Sequence, residues 1–200
     1  LLFSTAFTLW GLDTSWLELI AVLLAFAMIL CNIIELHWSW PLAAISSVLY
    51  FFLFWSQRLY GDALLQVLFV SLALWGWSVW LRGVEGSPLP VTRMPSRQRL
   101  TLSISGTMLW LATGSVLLNF TDTDVPWWDA FPTAFSLVGQ YLLAHKRLEN
   151  WAVWIGVNIV AAGLFAWKGL WLTTLLYLAF IVLSAVGWRT WAKHAQVETT

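Results

Sequence analysis

The sequence matches itself when it is shifted by 111 residues, and the match needs no gap. The coinciding residues spread over two long segments: Trp40 on Trp151, Leu53 on Leu164, Phe54 on Phe165, Leu59 on Leu170, Phe69 on Phe180, Gly76-Trp77 on Gly187-Trp188, and Trp80 on Trp191. A repeat of this length constrains the architecture strongly, because both copies must fold into the same kind of unit.

Composition indicates that this repeat lies in a membrane protein. Of the 200 residues, 60% are hydrophobic and only 10% are charged. A soluble domain of this size cannot bury so much apolar surface. Apolar stretches long enough to cross the hydrocarbon core recur along the whole chain. We therefore expect a multi-pass protein embedded in a lipid bilayer.

Hydrophobic runs and turn signals predict seven helices. The predicted ranges are 15–34, 40–55, 63–81, 100–120, 127–144, 151–167 and 170–191. Asp13-Thr14 and the segment 121–126 are typical of caps that precede the first and fifth of these helices. Gly and Pro residues predict that the polar segment 82–99 is a linker rather than a domain.

Seven helices predict an all-α membrane fold with two parallel three-helix repeats. Three helices enter on one face and leave on the other, so a second copy in the same orientation needs one extra crossing. This is the 3+1+3 layout of the SWEET transporters. The predicted organisation is a first repeat at residues 1–82, a cytoplasmic linker with connecting helix 4 at 83–120, and a second repeat with the C-terminal tail at 121–200.

The distribution of basic residues predicts the orientation in the membrane. One predicted face carries eight of them, and the other carries two, Arg58 and Lys168. The eight are Arg82, Arg93, Arg97, Arg99, Lys146, Arg147, Arg189 and Lys193. Because cytoplasmic loops are enriched in Lys and Arg, we expect the N-terminus outside and the C-terminus in the cytoplasm.

Several functional classes are not favoured. The three histidines do not show metal-ligand spacing, and the single cysteine, Cys31, cannot form a Cys-based zinc site. The sequence has no Walker or dinucleotide glycine motif, so we expect no cofactor, no metal and no catalytic residue. A formal net charge of zero gives no electrostatic case for nucleic acid binding.

Polar residues within the predicted spans mark the candidate binding site, because each is costly in lipid unless it faces a partner or a cavity. Helical geometry places Trp151, Trp154 and Asn158 on one stripe, with Asn150 beside it. Two indoles and a carboxamide can clamp a flat heteroaromatic ring, and an indole face attracts a cationic ring. The other candidates are Gln66, Gln140, Tyr50, Tyr177 and, more weakly, Asn32.

Two alternatives stay open for these polar residues. Asn and Gln also tie transmembrane helices together without any ligand. The repeat places Gln66 on Tyr177 and Ser47 on Asn158, which suits an asymmetric ligand but also suits neutral drift. Glu18 and Asp129 correspond by the repeat as well, and we interpret them as favourable charges at helix N-termini rather than as carboxylates lining a mouth.

Four segments resemble the Pnu family of bacterial vitamin transporters. They are Glu149-Asn150-Trp151-Ala152-Val153-Trp154 followed by Asn158, the segment from Leu59-Tyr60-Gly61-Asp62 to Gln66, the pair Gly76-Trp77, and the turn Lys168-Gly169-Leu170. The resemblance covers nearly the whole chain. It implies the SWEET-like 3+1+3 fold, a homotrimer in the bacterial inner membrane, and substrate bound in mid-membrane by aromatic and carboxamide side chains.

The resemblance also implies which residues bind the substrate. The matching positions in this chain are Trp151, Trp154, Asn158 and Gln66. Gln140 and Asn150 are additional candidates, and Tyr50 and Tyr177 are weaker ones. The best-known branch of the family moves nicotinamide riboside, an NAD precursor, by facilitated diffusion. A cytoplasmic kinase then traps the riboside by phosphorylation. Thiamine, or a riboflavin-like vitamin, is the alternative in the same family, and a seven-helix receptor without flux is the alternative from another class.

Overall fold

The computed structural model of the protein describes residues 5–9, 12–56, 60–84, 87–121, 123–167 and 171–197. The chain forms two compact units, Leu1–Arg82 and Gly83–Thr200. Some residues used above lie outside the described residues, namely Arg58, Leu59, Asp122 and the turn from Lys168 to Leu170. The same holds for the side chains of Asp13, Thr14, Glu18, Phe54, Tyr60 and Asp62.

The first unit consists of a short hairpin and three helices. The hairpin strands are β1 (Thr5–Leu9) and β2 (Leu12–Ser15), which pair antiparallel. The helices are α1 (Trp16–Ile33), α2 (Ser39–Ser56) and α3 (Tyr60–Arg82), and α2 packs against both neighbours. The sequence did not predict the hairpin, in which Asp13 and Thr14 form part of β2 rather than a helix cap.

The second unit has four helices and one pair of very short strands. The helices are α4 (Ser96–Phe120), α5 (Pro126–Ala144), α6 (Asn150–Trp167) and α7 (Trp171–Ala192), and each packs on the next in order. Strands β3 (Thr92–Arg93) and β4 (Gln196–Val197) pair in parallel. The prediction of a helical membrane fold with seven helices is confirmed for the described part of the chain, and the two short strand pairs are additions to it.

The two units repeat each other in backbone detail. Helices α2 and α6 begin and end 111 residues apart, at 39 and 150 and at 56 and 167. The turns before them each hold one non-glycine residue with positive φ, Glu35 at 59° and Lys146 at 47°. In both turns the hydrogen bonds are those of a Schellman cap, with Leu36 N–H donating to Cys31 over 2.8 Å and Arg147 N–H to Leu142 over 2.9 Å.

A tryptophan clamped on a glycine joins the second helix of each repeat to the third. In the first unit the Trp40 ring lies so close to α3 that a Cβ on Gly76 would come within 2.3 Å of it. In the second unit a Cβ on Gly187 would likewise come within 2.5 Å of the Trp151 ring. Trp80 and Trp191 meet these rings edge to face, at centroid distances of 5.6 and 5.4 Å.

Within the described residues, four helices are long and apolar enough to cross a membrane by length and composition. Their apolar windows are Leu65–Arg82, Ser96–Phe120, Asn150–Trp167 and Thr174–Ala192. Helices α1 and α2 hold shorter apolar stretches, Leu19–Ile33 and Ser39–Leu53. Helix α5 carries Asp129 in its first turn and Pro132 in its interior.

The start of α5 differs from the cap predicted for segment 121–126. Val125 is the N-cap residue and makes no side-chain cap hydrogen bond, while Pro126 occupies the first helical position. Thr123 Oγ1 accepts from Val125 N–H over 3.4 Å and donates to Asp129. Asp129 thus lies in the first turn, where its charge suits the positive end of the helix dipole.

These two Trp–Gly contacts, called clamps below, predict that a methyl group added to a glycine lowers stability only where an indole lies against that glycine. Gly187→Ala or Gly76→Ala puts a Cβ into a buried indole, and we expect each to lower the free energy of unfolding by about 1–3 kcal/mol. Gly163→Ala is the matched control, because its Cβ meets no atom within 4 Å. Thermal unfolding in detergent measures the difference, and equal midpoints for Gly187→Ala and Gly163→Ala would contradict the clamp.

Candidate functional site

The second unit contains six of the eight candidate substrate residues. Asn150, Trp151, Trp154 and Asn158 lie on α6, Gln140 on α5 and Tyr177 on α7. Gln66 and Tyr50 lie in the first unit, on α3 and α2, and both are half-buried.

Trp154 packs on the backbone of α5. A Cβ added at Gly139 would lie 3.0 Å from Cε2 and 3.1 Å from Nε1 of the Trp154 indole. The ring is half-buried, so one part of it remains open beyond its contact with the helix. Gln140 follows Gly139 directly, so the indole and this carboxamide lie on adjoining faces at the same level of α5.

Two buried carboxamides adjoin this contact along the two helices. Asn158 stands one turn along α6 from Trp154 and is 5% exposed. Gln140 is 9% exposed, and its Oε1 is buried with no hydrogen-bond partner in the described part of the chain. Because a buried carbonyl oxygen without a donor costs free energy, Gln140 is suited to accept a hydrogen bond from a bound molecule.

The repeat shows that these polar groups are special to the second unit. The residues 111 positions earlier are Ile29 for Gln140, Ser47 for Asn158 and Ala43 for Trp154. Ile29 and Ala43 are buried in the core of the first unit. The same positions of the repeat therefore carry small or aliphatic packing residues in one unit and carboxamide or indole side chains in the other.

Trp151 differs from Trp154 in its surroundings. It is 2% exposed and fills the space between Gly187 and Trp191, as Trp40 does in the first unit. Its indole Nε1 is buried without a hydrogen-bond partner among the described residues, as is that of Trp40. Trp151 and Trp154 lie on the same helix at the expected spacing, but the Trp151 ring is enclosed by protein and the Trp154 ring is only half-buried.

Asn150 is enclosed as well, at 0% exposure. Its Nδ2 donates to the Arg147 carbonyl over 2.7 Å, which ties the first residue of α6 to the preceding turn. Its Oδ1 is buried and lacks a partner in the described chain. The carboxamide thus holds the start of α6.

A strap formed by Thr92–Met94 crosses this turn, and the sequence analysis missed it. The Thr92 backbone accepts from Leu148 N–H over 2.9 Å and donates to the Lys146 carbonyl over 3.1 Å. Met94 N–H donates to the Glu149 carboxylate over 3.1 and 3.2 Å, and its side chain packs on Val138 and Leu142. The strap therefore fixes the end of α6 that precedes the Trp154–Asn158 stripe.

Tyr177 lies among aromatic rings. Its centroid is 5.1 Å from that of Phe165 on α6 and 6.0 Å from that of Phe180 on its own helix. It is half-buried, like Gln66 at the same position of the first repeat. The ring can therefore line a cavity, but the described contacts do not join it to Trp154 or Gln140.

An apolar cavity of about 510 Å³ lies between the start of α5 and the far half of α6. Its lining residues are Val125, Trp128, Ile159, Val160, Gly163, Leu164 and Trp167. None of the candidate substrate residues belongs to this set. Because a mostly apolar lining offers few hydrogen bonds to a carboxamide or a sugar, this cavity does not suit a polar vitamin.

The described residues hold no group of three or more His, Cys, Asp or Glu that could bind a metal ion. The arrangement on α5 and α6 instead offers an indole face and two buried carboxamides, which is chemistry for binding rather than for catalysis.

Residues 15–193 match the family model described as the nicotinamide mononucleotide transporter. The chain belongs to this family. It is a membrane transporter rather than an enzyme, as the relatives are. The nicotinamide riboside transporter PnuC of Escherichia coli is 24% identical over 93% of this chain and 89% of its own. The riboflavin/roseoflavin transporter RibM of Streptomyces davaonensis is 27% identical over 94% of this chain and 90% of its own.

A solved structure supports the same fold. The crystal structure of the vitamin B3 transporter PnuC superposes with a TM-score of 0.73 at 22% identity, covering 89% of this chain and 81% of that one. The expected Pnu family membership and the helical membrane transporter fold are therefore confirmed.

The strap of this transporter predicts two different effects at Glu149. Glu149→Ala leaves the buried Met94 N–H without its acceptor, and we expect a loss of about 1–3 kcal/mol in the free energy of unfolding. Glu149→Gln keeps an acceptor and loses the 2.9 Å ion pair with Arg99, whose side chain is 51% exposed, so a loss under about 1 kcal/mol is expected. Chemical unfolding compares them, and an equal loss for both would refute the role given to Met94.

Proposed function

We propose that this transporter carries nicotinamide riboside across the bacterial inner membrane by facilitated diffusion. The observation that carries the proposal is the pairing of a half-open indole, Trp154, with the buried carboxamides of Asn158 and Gln140. The names of the relatives support the same substrate class. This set of side chains matches the parts of nicotinamide riboside one by one.

The nicotinamide ring is a flat pyridinium cation, and an indole face attracts such a ring by stacking and by a cation–π interaction. Its carboxamide substituent has one acceptor and two donor hydrogens, which complement Asn and Gln side chains. The buried Gln140 Oε1 supplies an acceptor that the described chain leaves without a donor. We assign the ring to Trp154 and the carboxamide to Asn158 and Gln140.

Charge favours the riboside over its phosphate ester, the mononucleotide. Helix α6 from Asn150 to Trp167 contains no Lys or Arg. A phosphate at mid-membrane carries a large desolvation penalty unless a cation pairs with it. The riboside adds only ribose hydroxyls, for which we assign Tyr177 in the second unit, while Gln66 and Tyr50 stay predictions from the sequence.

Trp151 and Asn150 take supporting roles in this proposal. Both side chains are enclosed, and both act on α6, one by clamping it to α7 and the other by fixing its start. They position the stripe on which Trp154 and Asn158 stand. The proposal therefore removes Trp151 and Asn150 from the set of direct substrate contacts that the sequence predicts.

Riboflavin is the second candidate, because RibM is as similar to this chain as the nicotinamide riboside transporters are. The ring system of riboflavin is neutral and about three times as wide as the nicotinamide ring. Riboflavin binding therefore depends on stacking area rather than on cation–π attraction. Thiamine, which is cationic like the riboside, stays in the comparison as a third vitamin. The cation-binding indole favours the riboside and thiamine over riboflavin.

The remaining features of the transport cycle follow the same proposal. The N-terminus lies outside and the C-terminus in the cytoplasm, with the 3+1+3 organisation at residues 1–82, 83–120 and 121–200 and seven spans. Transport is passive, and phosphorylation in the cytoplasm traps the riboside. The protein is a homotrimer, in which each copy carries its own site.

Uptake by reconstituted liposomes tests the substrate. We expect saturable uptake of radiolabelled nicotinamide riboside without an imposed ion gradient, weaker competition by thiamine, and little competition by the mononucleotide. Empty liposomes give the background. Saturable riboflavin uptake without riboside uptake would replace the first candidate by the second, and absence of flux with all of these compounds would favour a receptor.

Binding measurements separate the direct contacts from the supporting ones. Trp154→Ala and Asn158→Ala are each expected to weaken riboside affinity by about 1–3 kcal/mol while the transporter stays folded. Trp151→Phe is the matched aromatic variant, and we expect it to lower the unfolding temperature while affinity per folded protein changes little. Calorimetry combined with thermal unfolding gives both numbers. The assignment is wrong if Trp151→Phe weakens binding more than Trp154→Ala does.

A further inference from the structure

The two units differ at one pair of positions that the repeat makes equivalent, one position on each of two successive helices. In the second unit α6 supplies the large side chain, Trp154, and α5 supplies Gly139 beneath it. In the first unit the equivalent residues are Ala43 on α2, which is 8% exposed, and Met28 on α1. Large and small residues have exchanged helices between the repeats, so the glycine and the tryptophan form one matched pair.

We propose that Gly139 is a positioning residue, whose missing side chain sets where the Trp154 indole stands in the substrate site. The proposal rests on the proposed function, because it takes the Trp154 ring as the surface on which the vitamin stacks. Gly139 itself does not touch the substrate.

The backbone gives no other reason for a glycine here. Gly139 lies in the interior of α5 and has no positive φ, unlike Gly83 with φ of 59°. Glycine weakens a helix interior relative to alanine, so its presence calls for a cause in packing. That cause is the closeness of the indole, whose Cε2, Nε1 and Cζ2 atoms would all lie within 3.3 Å of a Cβ.

The effect of a Cβ differs between this glycine and the clamp glycine. At Gly187 the ring of Trp151 is fully enclosed and would come within 2.5 Å, so the clash falls on the core. At Gly139 the distances are 3.0–3.3 Å and the Trp154 ring is half-buried, so the ring has room to shift by a few tenths of an ångström. The fold then survives while the stacking surface moves.

A shift of this kind acts on binding. The indole edge that carries Nε1 rests on α5, so an added methyl group pushes that edge away from α5 and away from Gln140, the neighbour of Gly139. The ring and the carboxamide, which we expect to hold the two ends of one flat molecule, then no longer stand at matched positions. Binding of a rigid heteroaromatic molecule depends on both contacts forming together.

Three Gly→Ala variants test the proposal: Gly139→Ala, Gly187→Ala and Gly163→Ala. Riboside affinity is measured by calorimetry, folding by thermal unfolding, and the Trp154 environment by ¹⁹F NMR of protein labelled with 5-fluorotryptophan, with Trp154→Phe assigning its signal. We expect Gly139→Ala to unfold within a few degrees of the parent protein, to shift the Trp154 signal, and to weaken affinity about three- to tenfold, the equivalent of one aromatic contact. Gly163→Ala should leave affinity, unfolding and signal unchanged.

A double variant makes the test specific to the pair. In Trp154→Phe the smaller ring leaves space for a methyl group, so we expect Gly139→Ala to cause no further loss of affinity in that background. An equal loss in both backgrounds, or parent-like affinity of Gly139→Ala, would overturn the proposal.

Failure of the proposed function gives a different result. If the parent protein binds no riboside, thiamine or riboflavin, the substrate assignment is wrong, whatever the glycine variants do. The ¹⁹F signal then still decides whether Gly139 positions Trp154, since it needs no ligand. A signal that stays in place in Gly139→Ala contradicts the positioning role in either case.

Discussion

The contact between a buried indole and a glycine on the next helix is the constraint on which each unit depends. Trp40 on Gly76 and Trp151 on Gly187 bring two helices close enough that no side chain fits between them. An edge-to-face tryptophan, Trp80 or Trp191, closes the same contact. In lipid, where the hydrophobic effect does not drive helices together, close packing of this kind is a main source of association. The clamp thereby fixes the rotation of α6 about its axis, and with it the direction of every other side chain on that helix.

The positions at which the two repeats carry different residues are informative, because the backbone and the clamp are the same in both units. Where the first unit has Ile29, Ala43 and Ser47, the second has Gln140, Trp154 and Asn158. Two of these changes add a group that can hydrogen-bond or stack, and the third replaces the Ser47 hydroxyl by the larger Asn158 carboxamide. The clamp, the turn geometry and the bounds of the second helix are the same in both units. The strap over Glu149 then holds the start of α6 firmly. A rigid scaffold with different residues at these positions is consistent with relatives that are named for different vitamins, nicotinamide riboside and riboflavin.

Much of the fold could be predicted from the sequence, because lipid permits few structures. Hydrophobic length predicts the helices, and all seven begin and end within a few residues of the expected places, since backbone groups in a membrane must be satisfied within a helix. The hairpin of β1 and β2 was missed, because its residues are not distinguished from an apolar helix start by pattern alone. The strap was missed because Thr92 and Met94 bind a turn more than 50 residues away.

The sequence predicts candidate site residues but not their surroundings. Spacing along α6 predicts that Trp151, Trp154 and Asn158 share one stripe, but spacing cannot tell an enclosed ring from an open one. That distinction depends on Gly187 and Gly139, which lie on other helices and have no side chain to attract notice. Comparing the repeats would have offered a signal, because Trp151 is retained from Trp40 whereas Trp154 replaces Ala43. Residues that are the same in both units stabilise the helix packing that the units share. Residues that differ between the units are the candidates for substrate recognition.

The most direct test of this account is a structure of the transporter with nicotinamide riboside bound. The account predicts the pyridinium ring stacked on the Trp154 indole, with its carboxamide hydrogen-bonded to Asn158 and Gln140 and with Trp151 still enclosed against Gly187. A riboside seated on Trp151, in the apolar cavity beside Gly163, or away from α6 would contradict it.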